Sequence, residues 1–357
     1  MSPKINRHPS RRITVGEVPV GGGAPIAVQS MTNTDTRDVE ATAAQIRRLE
    51  QAGCEIIRVA VPDEEAARAI AQIQKRIRIP LIADIHFDYR LAIASARAGA
   101  DGLRINPGNI GSRRKVKAVV DAAAAEGISI RIGVNAGSLE KDILNRHGAA
   151  TEQALVESAL RQIGLMDELG FSRLKLSIKS SDVGRTVAAY RMLAEKSDIA
   201  LHVGITEAGG LYTGIVKSAM GIGMILAEGI GDTIRVSLTR DPVEEVRVGY
   251  EILKALGIRQ RGPVIISCPT CGRCRFDLFS LAEAAERELM TRTTPITIAI
   301  MGCPVNGPGE ARAADIGIAG GKESGVLFKR GRVVRTIPQE ELLEALLQAV
   351  DEFESNA

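Results

Sequence analysis

The segment Glu55-Ile-Ile-Arg-Val-Ala-Val61 has the pattern of a short buried strand, and a polar loop and an alanine-rich amphipathic helix follow it. From Ile13 onward the chain repeats this unit. Eight such strands, each followed by a helix, in about 245 residues match the size of a (β/α)8 barrel. We therefore predict an α/β fold in which residues 1–258 form a TIM-type barrel. The predicted strands lie near residues 26–30, 55–61, 80–84, 102–106, 128–133, 173–177, 200–205 and 233–238.

A doubly wound open sheet is the alternative for alternating strands and helices. The barrel is favoured because no Gly-x-Gly-x-x-Gly follows the first strand; Gly21-Gly22-Gly23 precedes it, which indicates a hairpin or a turn at the barrel floor. Beyond Gly262 the pattern changes, and residues 259–357 are predicted to form a small α+β domain. Its predicted elements are strands near 263–267 and 296–301, a helix near 278–291, a hairpin around 325–337 and a closing helix from 338.

Four of the five cysteines lie in two short segments of this second domain. Ser267-Cys-Pro-Thr-Cys-Gly-Arg-Cys274 carries three thiols in two overlapping C-x-x-C spacings, and Gly302-Cys303-Pro304 supplies a fourth. Thiolates at this spacing bind either an iron–sulfur cluster or a structural zinc ion, and the similarity to C-x-x-C-x-x-C with Cys-Pro favours the cluster. A disulfide framework is the weakest interpretation, because a long chain with few cysteines and no signal peptide indicates a reducing compartment.

Composition excludes some classes of partner. The net charge is only +3, from 46 basic and 43 acidic residues, and 3% of residues are aromatic, so nucleic-acid binding is not favoured. No apolar run approaches the length of a membrane span, and the basic N-terminal segment to Arg12 lacks the apolar core of a signal peptide. We therefore expect a cytoplasmic protein without a membrane or nucleic-acid partner.

Basic residues interrupt strands that should be continuously apolar. Arg58, Arg104, Arg131 and Arg235 lie within four predicted strands, and Lys179 follows the sixth. A single such arginine most often pairs with a carboxylate, but four near the C-terminal ends of different barrel strands indicate a substrate with concentrated negative charge, most simply a diphosphate. Further polar groups at strand ends complete this predicted ring: Asp84, His86, Asn106, Asn135, Glu207 and Ser237.

Longer motifs carry a family resemblance that extends over essentially the whole chain. The motifs are Val28-Gln-Ser-Met-Thr-Asn-Thr34, Ala83-Asp-Ile-His-Phe87, Leu103-Arg-Ile-Asn-Pro-Gly-Asn109, Arg131-Ile-Gly-Val-Asn-Ala-Gly-Ser-Leu139, His202-Val-Gly-Ile-Thr-Glu-Ala-Gly209 and Met301-Gly-Cys-Pro-Val-Asn-Gly-Pro-Gly-Glu310. With these motifs and the cysteine segments, the chain resembles the compact bacterial form of the 4-hydroxy-3-methylbut-2-en-1-yl diphosphate synthases. The resemblance implies a reductive ring opening and dehydration of 2-C-methyl-D-erythritol 2,4-cyclodiphosphate by two electrons, in the methylerythritol phosphate route to isoprenoids.

The same resemblance implies a cofactor and roles for individual residues. A [4Fe-4S] cluster is held in the family by three cysteines and a glutamate, which correspond here to Cys268, Cys271, Cys303 and Glu310. Spacing alone would have selected Cys274 in place of Glu310. Electrons come from flavodoxin or ferredoxin, and Glu207 is implied as an acid/base or positioning group. The implied diphosphate cradle consists of Arg58, His86, Arg104, Arg131, Asn135, Lys179, Arg235 and Ser237.

We also predict a homodimer whose active sites are shared between chains. The last barrel helix returns the chain to the barrel floor, about 20 Å from the mouth, and residues 258–262 span only about 17 Å when fully extended. A two-fold pair lets each second domain cap the barrel of the other copy. The alternative is a monomer in which the last helix partly unwinds.

One alternative function comes from a different class. The barrel could belong to a non-redox lyase or synthase that handles a phosphorylated substrate, with a zinc-stapled second domain as an interaction module. The two hypotheses differ in colour, because an iron–sulfur protein is brown and a zinc protein is colourless.

Overall fold

The computed structural model describes residues 5–303 and 311–356. The chain divides into two compact units, with the boundary between Arg259 and Gln260. Within the described residues, no helix is both long enough and apolar enough to cross a membrane.

Eight parallel strands close the first unit into a barrel. The last strand, β10, pairs with β9 on one side and with β3 on the other, so the sheet has no free edge. The predicted TIM-type barrel is thereby confirmed, and the open sheet is excluded. A hairpin of β1 (Ile13–Val15) and β2 (Val18–Val20) precedes the barrel strands, which are β3 (Ala27–Met31), β4 (Ile56–Ala60), β5 (Leu81–Asp84), β6 (Gly102–Ile105), β7 (Ser129–Asn135), β8 (Leu174–Lys179), β9 (Ala200–Val203) and β10 (Thr233–Ile234).

Helices follow the barrel strands, and capping residues fix where many of them begin. The side chains of Asp63, Asp182 and Asp241, for example, each accept a hydrogen bond from a backbone N–H in the first turn of α2, α8 and α10. The loop before each of these helices is therefore fixed at one end by a barrel strand and at the other by the capped helix. The helices are α1 (Val39–Ala52), α2 (Glu64–Gln74), α3 (Tyr89–Arg97), α4 (Pro107–Ile110), α5 (Arg113–Ala125), α6 (Lys141–His147), α7 (Glu152–Glu168), α8 (Val183–Ala194), α9 (Leu211–Ala227) and α10 (Pro242–Ala255).

Side chains alternate between the two faces of each barrel strand. On β4, Ile57 and Val59 pack into the main core with the helices, whereas Ile56 joins a smaller core at the floor. The β1–β2 hairpin plugs that floor with apolar side chains. The tight turn of this hairpin lies at Gly16. Gly21-Gly22-Gly23, which was predicted to form a hairpin or a turn at the barrel floor, forms a turn with positive φ angles after β2 and before the first barrel strand.

The second unit is a five-stranded mixed sheet. Its order is β11 (Val264–Ser267), β12 (Thr297–Met301), β13 (Ile316–Ala319), β14 (Ser324–Lys329) and β15 (Arg332–Pro338), and the first three strands are parallel. Helices α11 (Leu278–Leu289) and α12 (Leu342–Ser355) share its apolar core. The predicted elements are all found, but β13 was not predicted, because this four-residue strand contains a glycine and has no strong alternation.

Candidate active site

Six basic residues lie on the inner face of the barrel strands or come directly after a strand. Their neighbours in sequence, such as Ile57, Val59, Ile130 and Ile132, belong to the core shared with the helices, so alternation directs the basic residues toward the barrel axis. The strands place a single carboxylate, Asp84, among them. The six are Arg58, Arg104, Arg131, Lys175, Lys179 and Arg235.

Asp84 is the centre of a buried ionic network. Its Oδ1 lies 3.0 Å from Arg104 Nη1 and 3.7 Å from His86 Nε2, and its Oδ2 lies 3.6 Å from Arg58 Nε. Burial acts to raise the pKa of Asp84, but Arg58, the hydrogen bond from His86 and Arg104 together hold that pKa well below its usual range. The carboxylate is therefore ionised and fixes two arginine side chains.

Replacement of Asp84 by asparagine is expected to destabilise the barrel. The change leaves Arg58 and Arg104 buried without a counter-charge, and breaking a buried pair in this way costs about 3–5 kcal/mol. Urea unfolding measures the loss. The matched control is Asp121→Asn, which removes an exposed pair with Lys117 and should cost no more than about 1 kcal/mol. Equal effects of the two substitutions would contradict the assigned network.

Arg235 has a partner of its own. Its Nη2 lies 3.1 and 3.2 Å from the two carboxylate oxygens of Glu245 on α10. Glu245 also accepts hydrogen bonds from Ser30 Oγ, at 3.1 Å, and from the Leu238 backbone N–H, at 3.0 Å. Sequence reasoning missed Glu245 because it lies in the first turn of a helix, where acidic residues are common.

Arg131 and Lys179 are buried, and neither forms an ion pair with a carboxylate among the described residues. Arg131 donates only a long hydrogen bond, 3.5 Å, to Ser177 Oγ, and Lys179 Nζ lies 3.5 Å from His202 Nε2. Burial, followed by the neighbouring cations, lowers the pKa of both basic groups well below the usual values. Such groups need an anion, and a ligand with several negative charges fits them.

Two glycines allow the basic side chains to cross the barrel interior. A Cβ atom on Gly133 would lie 2.9 Å from Arg104 Nε and Nη2, and one on Gly204 would lie 2.8 Å from Lys179 Nζ. A larger residue at Gly133 would displace Arg104, whereas one at Gly204 would also clash with the backbone carbonyl oxygen of Arg235, at 2.4 Å. The glycines in these two predicted motifs are therefore explained by close approach.

The other predicted residues lie near the carboxyl ends of the strands. Asn106 caps α4 through Oδ1 and donates to Ser138 Oγ at 3.3 Å, so part of its role is structural. Asn135 ends β7, and Ser237 follows β10. His86 is exposed, as is Glu207, whose φ of +51° is a left-handed conformation that strains a non-glycine residue.

Three buried inner-face residues were not predicted: Lys175, His202 and Gln29. They are at most 1% exposed, and both amide atoms of Gln29 and the amine of Lys175 have no hydrogen-bond partner among the described residues. Alternation could have revealed Lys175, because Leu174 and Leu176 flank it and belong to the core shared with the helices. Lys179, predicted to follow its strand, is the last residue of β8.

Two cysteine segments of the second unit begin at the carboxyl ends of two neighbouring strands of its sheet. Cys268 follows β11, its N–H donates to Ile300 O on the parallel strand β12, and Cys303 comes two residues after β12. Cys271 is exposed, whereas Cys274 is half-buried and its thiol donates to Phe276 O at 3.3 Å. Thiols on neighbouring strand ends are a suitable donor set for an iron–sulfur cluster.

The thiols are not gathered as a complete metal site. In residues 5–303 and 311–356, no three histidine, cysteine, aspartate or glutamate side chains are close enough together to hold a metal ion. The predicted fourth ligand, Glu310, lies outside the described residues. The type and placement of the thiols fit a cluster, and its full ligand set stays a prediction.

Two family descriptions match the chain in succession. Residues 10–250 match the GcpE TIM-barrel domain, and residues 264–352 match the GcpE protein C-terminal domain. This chain belongs to the GcpE family. The relationship predicted from the motifs is confirmed, and membership of this family implies an iron–sulfur cofactor.

Curated relatives of this GcpE-family chain match it over nearly its whole length. A protein of Desulfotalea psychrophila is 57% identical over 98% of this chain and 97% of its own. One of Geobacter sulfurreducens is 57% identical over 96% of this chain and 98% of its own. Both are named 4-hydroxy-3-methylbut-2-en-1-yl diphosphate synthase (flavodoxin).

A solved structure shares the fold of the barrel. Dihydropteroate synthase from Stenotrophomonas maltophilia has a TM-score of 0.50 and 15% identity, and the match covers 68% of this chain and 98% of that protein. At this identity the likeness concerns the fold alone.

Proposed function

We propose that the protein reductively opens and dehydrates 2-C-methyl-D-erythritol 2,4-cyclodiphosphate to (E)-4-hydroxy-3-methylbut-2-en-1-yl diphosphate. The names of the relatives supply the product and flavodoxin, the motif resemblance supplies the substrate, and one observation on this chain supports the assignment. The barrel interior holds buried cations, Arg131 and Lys179 above all, that have no carboxylate partner in the described part of the chain. A cyclic diphosphate supplies the missing negative charge where the strands end.

The basic side chains bind and orient the substrate. Asp84 fixes Arg58 and Arg104, and Glu245 fixes Arg235, so these guanidinium groups are already positioned when the diphosphate arrives. Binding energy gained at the diphosphate then holds the carbon skeleton in one orientation, which is how remote binding energy contributes to rate. Asn135, Ser237 and His86 line the same strand ends and are proposed as further ligands of the diphosphate or the hydroxyl groups.

Glu207 is proposed to hold or move a proton at a substrate hydroxyl. Glu207 is exposed in the loop after β9, at the mouth, and its backbone has the left-handed conformation. A strained non-glycine residue at a strand-end loop is a common sign of a positioned functional group.

The residues proposed to hold a [4Fe-4S] cluster are Cys268, Cys271, Cys303 and Glu310. When bound, the cluster supplies single electrons to the reaction, and flavodoxin or ferredoxin supplies them to the cluster. Cys303 is buried and Cys268 packs against the apolar core of the second unit, which shields part of the proposed site from water, whereas Cys271 is exposed. We place the reaction in the cytoplasm, where cysteine ligands stay reduced.

Iron and sulfide analysis tests the cofactor. Protein purified without oxygen should be brown, contain about four iron and four sulfide per chain, and give a low-temperature electron spin resonance signal after reduction. A colourless protein with one zinc per chain would instead support the lyase or synthase alternative.

The active protein is proposed to be a homodimer with shared sites. Arg259, the last residue of the barrel unit, donates to Ile26 O at 2.6 Å and pairs with Glu55 at 2.8 Å, just before β3 and β4. The chain therefore leaves the barrel at its floor, opposite the cationic mouth. This supports capping of the mouth by the second domain of another copy.

A stripe of apolar side chains on α9 is the proposed contact between the copies. Tyr212, Val216, Met220 and Met224 recur every four residues and are 43–85% exposed, and Lys217 is the only charged residue of this helix. Exposed apolar stripes of this kind mark interfaces.

Mixing two inactive variants tests the shared site. Cys303→Ala lacks a proposed cluster ligand and Glu207→Ala lacks the proposed barrel group, so mixed dimers should contain one intact site and regain up to about half the activity of wild-type dimers. Adding Met220→Glu to both variants should give monomers and abolish the recovery, whereas Lys217→Glu should not. Mixed dimers that are demonstrably present and remain inactive would rule out shared sites.

A further inference from the structure

The amine of Lys175 is an unpartnered basic group buried in the described barrel interior. Lys175, Ser177 and Lys179 share the inner face of β8, so Lys175 precedes Lys179 by about 13 Å along the strand and lies closer to the floor. It is 1% exposed, and its Nζ has no hydrogen-bond partner among the described residues. A buried amine without a partner is costly to the fold, which suggests that it serves a ligand.

The surroundings of Lys175 are almost entirely positive or neutral. Arg131 is in register with Lys175 on the neighbouring strand β7, and Arg58 faces it from β4. From β9 the imidazole of His202 faces the same space, and the charge of Lys175 contributes to the lowered pKa of His202. Burial, then Arg131 and more weakly Arg58, lower the pKa of Lys175 to about 7.

Among the described residues, the carboxylate that acts on Lys175 is Asp232, and it already has other partners. The charge of Asp232 acts to raise the pKa of Lys175. However, Asp232 Oδ1 accepts hydrogen bonds from Arg7 at 2.8 Å and from Ser10 at 2.9 Å, and Oδ2 accepts one from the Leu201 N–H at 2.8 Å. Asp232 therefore influences Lys175 electrostatically but is not a dedicated counter-ion for it.

We propose that Lys175 is a positioning residue of the diphosphate site that takes up a proton as the anion binds, and so adds a charge beside Arg131 on the neighbouring strand. This inference rests on the proposed function. Opening the cyclic diphosphate converts a group with about two negative charges into a linear diphosphate with about three, because a terminal phosphate loses its second proton near pH 6. Protonated Lys175 offsets part of that increase without exposing the site to water.

The direction of the pH dependence follows from linkage. The free protein holds Lys175 with a pKa of about 7, and a bound anion raises that pKa, so binding takes up about one proton above pH 7. Between pH 7 and 9 the Kd of the wild type should therefore rise about tenfold more per pH unit than the Kd of Lys175→Met. Lysine should favour binding most strongly at or below pH 7.

Calorimetric titration of the full-length protein with the cyclodiphosphate, anaerobically and without reductant, measures the protons directly. In HEPES and Tris at pH 8, the wild type should take up about one proton more than Lys175→Met. Lys117→Met, an exposed lysine paired with Asp121, should match the wild type. Equal proton uptake in Lys175→Met and wild type would overturn the proposal. If the wild type itself fails to bind the cyclodiphosphate, the proposed function falls together with this inference.

Thermal melting of the free protein gives an independent readout. The unfolded chain binds a proton at Lys175 up to about pH 10.4, whereas the folded chain releases it near pH 7, so the wild type gains stability as the pH rises between these values. Lys175→Met should therefore melt above the wild type at pH 6, and the difference should shrink toward pH 10. A difference that is independent of pH would show that Lys175 is only a packing residue and would overturn the proposal.

Discussion

Cys303→Ala is expected to yield a protein without an iron–sulfur cluster and without measurable turnover. Cys303 is buried and comes two residues after β12, beside the strand end that Cys268 follows, so the substitution removes a proposed thiolate ligand from the site. Cys274→Ser is the matched control and should keep both cluster and turnover. Its thiol donates to Phe276 O, a bond that a hydroxyl can also make. Iron content, visible absorbance and turnover under reducing conditions measure the contrast.

Cys274 is the alternative candidate for the fourth cluster ligand. Its sulfur lies 3.2 Å from the position that a Cβ atom on Gly302 would occupy, which brings the thiol beside the segment that carries Cys303. We nevertheless assign the fourth ligand to Glu310, so Glu310→Ala should retain a perturbed cluster and lose most turnover. Loss of the cluster in Cys274→Ser, together with a normal cluster in Glu310→Ala, would reverse the assignment.

Arg131→Met should weaken substrate binding and at the same time stabilise the free protein. The guanidinium group is 3% exposed and has no carboxylate partner in the described residues, so methionine removes an uncompensated buried charge. We expect the free energy of unfolding to rise by about 1–4 kcal/mol. Loss of charge-assisted bonds worth about 1.5–3 kcal/mol should raise the KM for the cyclodiphosphate roughly 10- to 150-fold. Cluster absorbance should not change.

Arg104→Met should change the stability in the opposite direction from Arg131→Met. It also removes a cation from the proposed cradle, but it leaves buried Asp84 without its closest partner, at 3.0 Å. This variant should bind substrate weakly and unfold more easily, by about 3 kcal/mol. If Arg131→Met also destabilises the protein and leaves KM unchanged, the arginines serve the fold and not the substrate.

The fold could be predicted from the sequence because the barrel repeats one strongly patterned unit. All eight predicted strands are found, although β10 has only two residues where six were predicted, so Arg235 and Ser237 follow the strand. The short strands β1, β2 and β13 were missed or left as turns. Such strands are specified by their neighbours, since a few residues carry too little alternation to be recognised alone.

The candidate site could be predicted only where charge breaks the apolar pattern. Arg58, Arg104 and Arg131 stood out for this reason, and Lys175 carried the same signal on β8. Other features depend on the folded chain. The pairing of Arg235 with Glu245 joins a strand end to a helix, and the capping role of Asn106 requires the turn into α4. Sequence separation alone indicates neither contact.

Product analysis under anaerobic conditions tests the proposed function most directly. The protein is incubated with the cyclodiphosphate and reduced flavodoxin, and phosphorus magnetic resonance with mass spectrometry follows both compounds. We predict conversion to (E)-4-hydroxy-3-methylbut-2-en-1-yl diphosphate with two electrons consumed per product, and no conversion by Cys303→Ala. Unchanged cyclodiphosphate in the presence of brown, reducible wild-type protein, or conversion that needs no electrons, would contradict the proposed function.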